Sequence, residues 1–466
     1  MISPALALTG VLYDRLVDHL YPGDRKEAAA ILLCSRTPGP RLRLLAQDAI
    51  LVPHAACKVR EPDRINWPGE YLERAIDLAE PFGLAIVLIH SHPGGLFAFS
   101  RPDDDSDAIV MPCLFQACGD SHGSAIMTPD GAIRARLYDS DLNKTAVELV
   151  SVAGHDLRFF WECDAERRDR AKRPMAFTSD MTAELKRLSA TTIGVSGTGS
   201  IVAEQNARMG FGRNDYVDFD KVEGRNLNRI LNSTLKDVEL KKPKAEMFAE
   251  AVATYRGPGV AFPVTKSITT REAVLAASQA DVLFCCVDTL EARYIADLIS
   301  SAFLIPLFDV GVSIPTRRTP DGAPAIADVC GRIDYVQPGR SLLQDRGVYT
   351  PDTLRAEYLR NAFPEAFRAE VEAGYIKGVA EEAPSVIMLN MRAAAACVNE
   401  FIARAYPFRL DSNEKYARTI FSLAACEEEF MAETEFTVSD NPVLGRGAQE
   451  PLLELPTLAP RREKKA

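Results

Sequence analysis

HSHPGGLFAFSRPDDD, residues 90–105, follows the strand-length apolar run LAIVLIH (84–90) and holds two of the chain's six histidines. Side chains alternate along a strand, so His90 and His92 project from the same face. Gly94-Gly95 reads as a turn, and Ser100 with Asp103 reads as a capping box that starts a helix. The stretch is therefore a strand, a turn and a helix, with paired imidazoles at the strand end and a carboxylate on the first helical turn. That donor set fits a catalytic zinc: three protein ligands, His90, His92 and Asp103, leave a fourth position for water. Ser100 would lie beside it as a hydrogen-bond donor to a developing oxyanion. On the residues alone, a plain helix cap beside two satisfied polar histidines stays open.

Working outward, residues 1–140 mix helix-like spacing (VLYDRLVDHL, 11–20) with strand-length runs such as AAAILLC (28–34), which predicts an α+β domain. Residues 141–177, with the charged ECDAERRDRAKRP at 162–174, read as a linker. Residues 178–410 alternate strands (TTIGV, 191–195; YVDF, 216–219; DVLFCCVD, 281–288; FLIPLFDVGV, 303–312) with helices, the pattern of a Rossmann-like doubly wound α/β sheet. Residues 411–466 form a C-terminal extension whose REKKA end is expected to be disordered.

Length and composition agree with two domains, since 466 residues exceed what one core organises. A net charge of −11 argues against nucleic acid as a partner, and the lack of any run of about 18 apolar residues argues against a membrane span. MISPALALTG has no basic leader region, so the expected location is the cytoplasm. Ten cysteines without a C-x-x-C pair suit reduced thiols.

The order H-x-H, seven residues, then S-x-x-D resembles the JAMM (JAB/MPN) metalloprotease signature, matched by His90, His92, Ser100 and Asp103. The resemblance implies a cytidine-deaminase-like α+β fold and a zinc peptidase or isopeptidase acting at the C-terminus of a ubiquitin-like protein. Zinc would be held by His90, His92 and Asp103, Glu27 of DRKEAAAILLC would be the general base, and Ser100 would steady the tetrahedral intermediate. His19, His54, His122 and His155 have no ligand spacing and are read as ordinary residues.

In the second half, glycines 194, 197 and 199 lie between a strand and a helix, where backbone amides can face a phosphate. Ser196 replaces the middle glycine of the dinucleotide fingerprint, and Asp218 falls where a ribose-binding acid would lie, so a dehydrogenase is one reading. Asp218-Phe-Asp220, Asn226-Leu-Asn228-Arg229, Lys242-Pro-Lys244-Ala245 and Val287-Asp288-Thr289 together resemble the ThiF/MoeB adenylyltransferases, the core of ubiquitin-activating enzymes. The resemblance implies ATP-dependent adenylation of a carrier protein's C-terminus. It would have glycines 194, 197 and 199 and Asp220 in the nucleotide site, Asp218 on the ribose, and Asn226, Arg229 and Lys244 on phosphates. Asp288 would bind magnesium.

An arginine from a partner subunit completes the site in simpler members, which makes Arg170 or Arg173 candidates and a homodimer the expectation. PGRSLLQDRG (338–347) lacks the zinc-binding C-x-x-C of many relatives, so no structural zinc is expected there. Cys330 is the best-placed thioester cysteine, against a core role for it and for Cys285, Cys286 and Cys397. The expected partners are a ubiquitin-like or sulfur-carrier protein and a conjugating enzyme. The alternatives are sulfur-carrier activation without conjugation, or a binding scaffold with one inactive domain.

Overall fold

The computed structural model describes residues 4–119, 121–162, 173–365, 367 and 386–460. The chain divides into two compact units. The first comprises Met1–Arg173, Ser301–Leu304 and Asn441–Ala466, and the second comprises Pro174–Ser300 and Ile305–Asp440.

The first unit runs β1 (Ala5–Thr9), α1 (Gly10–Leu20), β2 (Ala29–Thr37), β3 (Arg43–Leu51), β4 (Val59–Glu61), β5 (Arg64–Asn66), α2 (Glu70–Ala79), β6 (Ala85–Ser91), α3 (Arg101–Cys118), β7 (His122–Met127), β8 (Ile133–Tyr138), β9 (Lys144–Ala146), β10 (Leu149–Ala153) and β11 (Leu157–Trp161). Nine of these strands form one mixed sheet in the order β11-β10-β1-β3-β2-β6-β7-β8-β9, and β4-β5 is a separate hairpin. The central strands are buried on both faces. Ala30, Leu32, Cys34, Ala85, Val87 and Ile89 pack into one core, while Ile31, Leu33, Ile86 and Leu88 pack with residues of α2 and α3 into the other. This explains the unbroken apolar runs. Even-numbered positions of β6 therefore face α3, and continuing the alternation sends His90 and His92 the same way. Much of the stretch expected as a linker is sheet instead: β10 lies parallel to β1, and β11 pairs antiparallel with β10. LVSVA and LRFFW supply apolar residues that β1 alone would leave uncovered.

The second unit runs α4 (Ser179–Leu185), β12 (Ser189–Ile193), α5 (Gly197–Met209), β13 (Arg213–Val217), α6 (Leu235–Glu239), α7 (Lys244–Arg256), β14 (Ala261–Val264), α8 (Arg271–Ala277), β15 (Val282–Cys285), α9 (Leu290–Phe303), β16 (Leu307–Ser313), β17 (Thr316–Arg318), β18 (Pro324–Ile326), β19 (Cys330–Val336), α10 (Pro351–Ala362), α11 (Ile387–Ala405), β20 (Arg418–Ser422) and β21 (Glu427–Met431). The main sheet has the order β14-β13-β12-β15-β16-β19-β20-β21. Its first five strands are mutually parallel, and β19, β20 and β21 continue antiparallel. Strand order reverses at β12, so the crevice at the carboxyl ends of β12, β13 and β15 is where such sheets bind ligands.

Two boundaries differ from the sequence expectation. The apolar run 303–312 is not one strand, because Phe303 ends α9 and Leu304 turns through φ 51° before β16 begins. Residues beyond 410 are not all extension, since β20 and β21 complete the second sheet and Asn441 onward belongs to the first unit. The REKKA end lies outside the described residues. Among the described residues no helix is long and apolar enough to cross a membrane.

Candidate metal and nucleotide sites

In the first unit the strand register assembles the candidate metal site. β2 and β6 are antiparallel with Ala29 opposite His90. The Ser91 amide donates to the Ala28 carbonyl at 2.9 Å, which carries the pairing one residue further and brings Glu27 opposite His92. Ligand atoms of Glu27, His90 and His92 all lie within 4.8 Å of one another. The two Nε2 atoms face each other at 2.9 Å, and Asp103 oxygens stand 3.1 Å from His90 Nε2 and 3.5 Å from His92 Nε2. Donor atoms about 2 Å from a tetrahedral zinc sit roughly 3.3 Å apart, so this set fits such an ion. Two ring nitrogens aimed at each other beside a carboxylate are also favourable only with a cation or proton between them. His92 Nδ1 donates to the Leu96 carbonyl at 2.7 Å, which leaves Nε2 as the coordinating atom.

Electrostatics follow the same geometry. Burial pushes the Glu27 carboxyl up to about 7, the range of a group that exchanges a proton at neutral pH. Burial also opposes ionisation of Asp103, but hydrogen bonds from the two imidazoles and the Ser100 amide hold it well below the usual carboxylate range. For His92, burial disfavours the charged ring, yet the Asp103 and Leu96 acceptors raise it overall.

Ser100 caps α3 as expected. Its hydroxyl donates to Asp103 Oδ2 at 2.8 Å, its amide donates to the same oxygen at 2.6 Å, and Asp103 N–H returns to Oγ at 3.4 Å. The single hydroxyl proton is thus engaged with Asp103. Facing an oxyanion would require it to turn away.

In the second unit the glycine loop sits at the head of α5. Gly194 has φ 83°, and a Cβ there would come within 3.1 Å of the Cys286 carbonyl. A Cβ on Gly199 would lie 1.8 Å from the Gly194 carbonyl oxygen, so only glycine lets the helix start this close to the strand. Gly197 opens α5, whose N-cap Ser196 makes no side-chain cap bond. A Cβ on Gly197 would meet Asn390 Nδ2 at 2.5 Å and Arg229 Cδ at 3.2 Å, so both side chains lean over the helix N-terminus. Amides without a side-chain cap, an arginine and an amide side chain at a helix head form a cradle for phosphate oxygens.

The remaining candidates ring this cradle with differing commitments. Asp218 directly follows β13; its Oδ2 accepts from Val195 N–H at 2.8 Å and its Oδ1 from Asp220 N–H at 2.9 Å. Burial raises its pKa, with Lys244 opposing. Lys244 Nζ donates to Asp220 Oδ2 at 2.8 Å from the first residue of α7. Arg229 donates to the Arg225 carbonyl at 2.8 Å. Asn226 is turned into its own loop, accepting from Glu223 N–H at 3.0 Å. Asp288 is exposed in the loop after β15, at the same end of the sheet.

Three features of this site had no local signal in the sequence. Asn390 arrives from α11 and accepts from Thr198 Oγ1 at 3.1 Å. Glu357 of α10 accepts from the amides of Leu290 and Glu291 at 3.0 and 2.9 Å, capping α9 just after Asp288. Arg293 donates to the Val287 carbonyl at 2.7 Å, gripping that loop from its other side.

The thioester and partner-arginine candidates fare less well. Cys330 donates to the Ser313 carbonyl at 3.6 Å, and burial together with Asp328 raises its pKa, which disfavours the thiolate a nucleophile needs. Cys285, Cys286 and Cys397 are likewise raised by burial. Arg173 pairs with Asp156 at 3.0 Å within the first unit. Arg170 lies outside the described residues.

Comparison with known proteins matches each half separately. Residues 10–137 match the family described as prokaryotic homologs of the JAB domain, and residues 170–320 match the ThiF family. Ubiquitin-like modifier-activating enzyme 5 of Culex quinquefasciatus is 29% identical over 169 residues, covering 34% of this chain and 38% of that protein. Its Caenorhabditis elegans counterpart is 28% identical over 169 residues, covering 34% and 36%. The chain thus spans well under half the length of the curated relatives it matches. Among solved structures, E. coli MccB with succinimide aligns with a TM-score of 0.43 at 14% identity, covering 57% of this chain and 68% of that one.

Proposed function

We propose a function for this chain from what it is, a JAB-type domain fused to a ThiF-type domain: it activates the C-terminus of a ubiquitin-like or sulfur-carrier protein with ATP and cleaves bonds made at that same C-terminus. The observation that carries this reading is the convergence of Glu27, His90, His92 and Asp103 on one point, in a chain whose second unit opens a glycine-lined helix head under Arg229 and Asn390.

In the first unit His90, His92 and Asp103 would hold zinc, which when bound supplies a Lewis acid and an acidified water. Glu27, buried and pushed up to about 7, takes the proton from the attacking water and returns it to the leaving amine. Ser100 turns its hydroxyl from Asp103 toward the carbonyl oxygen as charge develops there.

In the second unit the α5 amides, Arg229 and Lys244 neutralise the triphosphate, Asp218 and Asp220 hold the ribose side, and Asp288 would hold magnesium. Together these groups bring the carrier's carboxylate to the α-phosphate in a preset geometry. The raised pKa values of Cys330, Cys285, Cys286 and Cys397 favour transfer of the acyl group from its adenylate, with AMP leaving, to a sulfur nucleophile or to the thiol of a conjugating enzyme over a thioester on these cysteines. A homodimer and a cytoplasmic location belong to the same reading.

The test is ATP–pyrophosphate exchange that depends on the carrier and collapses in Asp288→Ala, together with zinc near one per chain that is lost in His90→Ala/His92→Ala. Exchange unchanged by Asp288→Ala overturns the nucleotide site. A metal-free, normally folded protein overturns the peptidase half.

A further inference from the structure

Three ligands of the candidate metal site come from two different elements, β6 with its extension and the first turn of α3. Something must fix α3 against the sheet to within a few tenths of an ångström, because a zinc tetrahedron tolerates little error. One turn beyond Asp103, on the same helix face, is the carboxylate of Asp107, 4% exposed. Its Oδ2 accepts from Ser124 Oγ at 2.5 Å, Tyr138 Oη at 2.7 Å, Arg136 Nη2 at 2.7 Å and Arg136 Nε at 3.2 Å. Ser124 lies on β7 and Arg136 and Tyr138 on β8, strands continuous with β6 in the sheet.

Arg136 reaches further than Asp107. It donates to Asp104 in the first turn of α3, and its guanidinium lies 3.8 Å over the Phe99 ring, the residue before the Ser100 cap. One buried cation on β8 therefore touches the approach to the helix, its first turn and its second turn. Lys144 on β9 shares Asp104 at 2.7 Å, so the two carboxylates are balanced by two cations. A planar guanidinium with several fixed donors can hold such an arrangement where an ammonium cannot.

From this we infer that Arg136, acting through Asp107, is a positioning residue for the metal site: it locks the start of α3 so that Asp103 meets His90 and His92. The inference rests on the zinc reading above and adds a part to it. The network lies behind the ligands, so it alters affinity by holding geometry rather than by donating to the ion. Outer-shell partners of metal ligands commonly alter affinity by about 10–100-fold.

The experiment measures zinc affinity by competition with a chromophoric chelator, alongside melting temperature, for wild type, Arg136→Lys, Tyr138→Phe and the control Tyr13→Phe. Tyr13 donates to the Gly131 carbonyl at 2.9 Å, a buried bond in the same unit that does not join the Asp107 network. The expected result is zinc affinity lowered about tenfold or more in Arg136→Lys, severalfold in Tyr138→Phe, and unchanged in Tyr13→Phe despite its own drop in melting temperature. If Arg136→Lys does not fold, Tyr138→Phe decides alone. Wild-type affinity in folded Arg136→Lys and Tyr138→Phe overturns the positioning role and leaves the zinc reading intact. Wild type that binds no zinc overturns the zinc reading itself.

Discussion

Asp297→Asn isolates a buried charge whose effect on the second unit can be worked through. Asp297 sits on α9, 1% exposed, and its Oδ2 accepts from Tyr349 Oη at 2.7 Å and Leu343 N–H at 2.9 Å, while its Oδ1 has no partner. Burial pushes its pKa from 3.8 to about 7. The folded state therefore holds a proton that the unfolded chain releases above about pH 4. Stability is at its fullest below pH 3.8 and is lost as pH rises toward 7, at about 1.4 kcal/mol per pH unit. From pH 5 to pH 8 the loss is about 3 kcal/mol.

Asparagine keeps an acceptor for Tyr349 and Leu343, does not titrate, and places an amide where Oδ1 lacked a partner, at a pH-independent cost of about 1–3 kcal/mol. The stability of Asp297→Asn relative to wild type should thus rise by about 3 kcal/mol between pH 5 and pH 8, or roughly 6–10 °C in the second unit's melting transition. Differential scanning calorimetry across that range reads it directly. A difference that stays constant with pH would refute a protonated Asp297.

Other perturbations bear on the sites. Gly199→Ala drives a Cβ into the Gly194 carbonyl, so pyrophosphate exchange should fall to background while zinc content is retained; exchange within twofold of wild type would contradict the close helix start. Glu357→Gln weakens the cap on Leu290 and Glu291, which should cost the second unit about 1 kcal/mol and raise the magnesium needed for half-maximal exchange, read in a metal titration. Ser100→Ala removes both a cap and a donor. Cleavage should then drop about 100-fold with zinc affinity changed far less, and parallel losses would reduce Ser100 to a cap.

What could be read from sequence was what is encoded locally. The strand, turn and helix of 84–118 follow from an apolar run, two glycines and an S-x-x-D cap, and the glycine loop before α5 follows from residue types that only a tight strand-to-helix turn requires. Glu27 needed the register of β2 against β6, which no single segment carries. Asn390 and Glu357 reach the nucleotide site from 192 and 67 residues away from their partners. Residues 149–161 read as part of a linker because charged neighbours dilute two short strands whose value appears only beside β1. Arg136 and Asp107 were invisible for a similar reason, as charged residues read as surface until packing buries and pairs them.

Residues 441–448 give the first unit a second consequence. Ser35 Oγ and Gln47 Nε2 both donate to the Gly445 carbonyl, at 2.5 and 2.7 Å, and Ala448 N–H donates to the Arg36 carbonyl at 3.3 Å. Strands made early thus wait for contacts made late. During synthesis the ribosome releases the whole of the second unit before it delivers the residues that close over β2 and β3, so the half translated first is the half completed last. A gene fragment ending at residue 173 would encode a first unit that lacks this closure, and co-expressed residues 441–460 would be the piece to restore it.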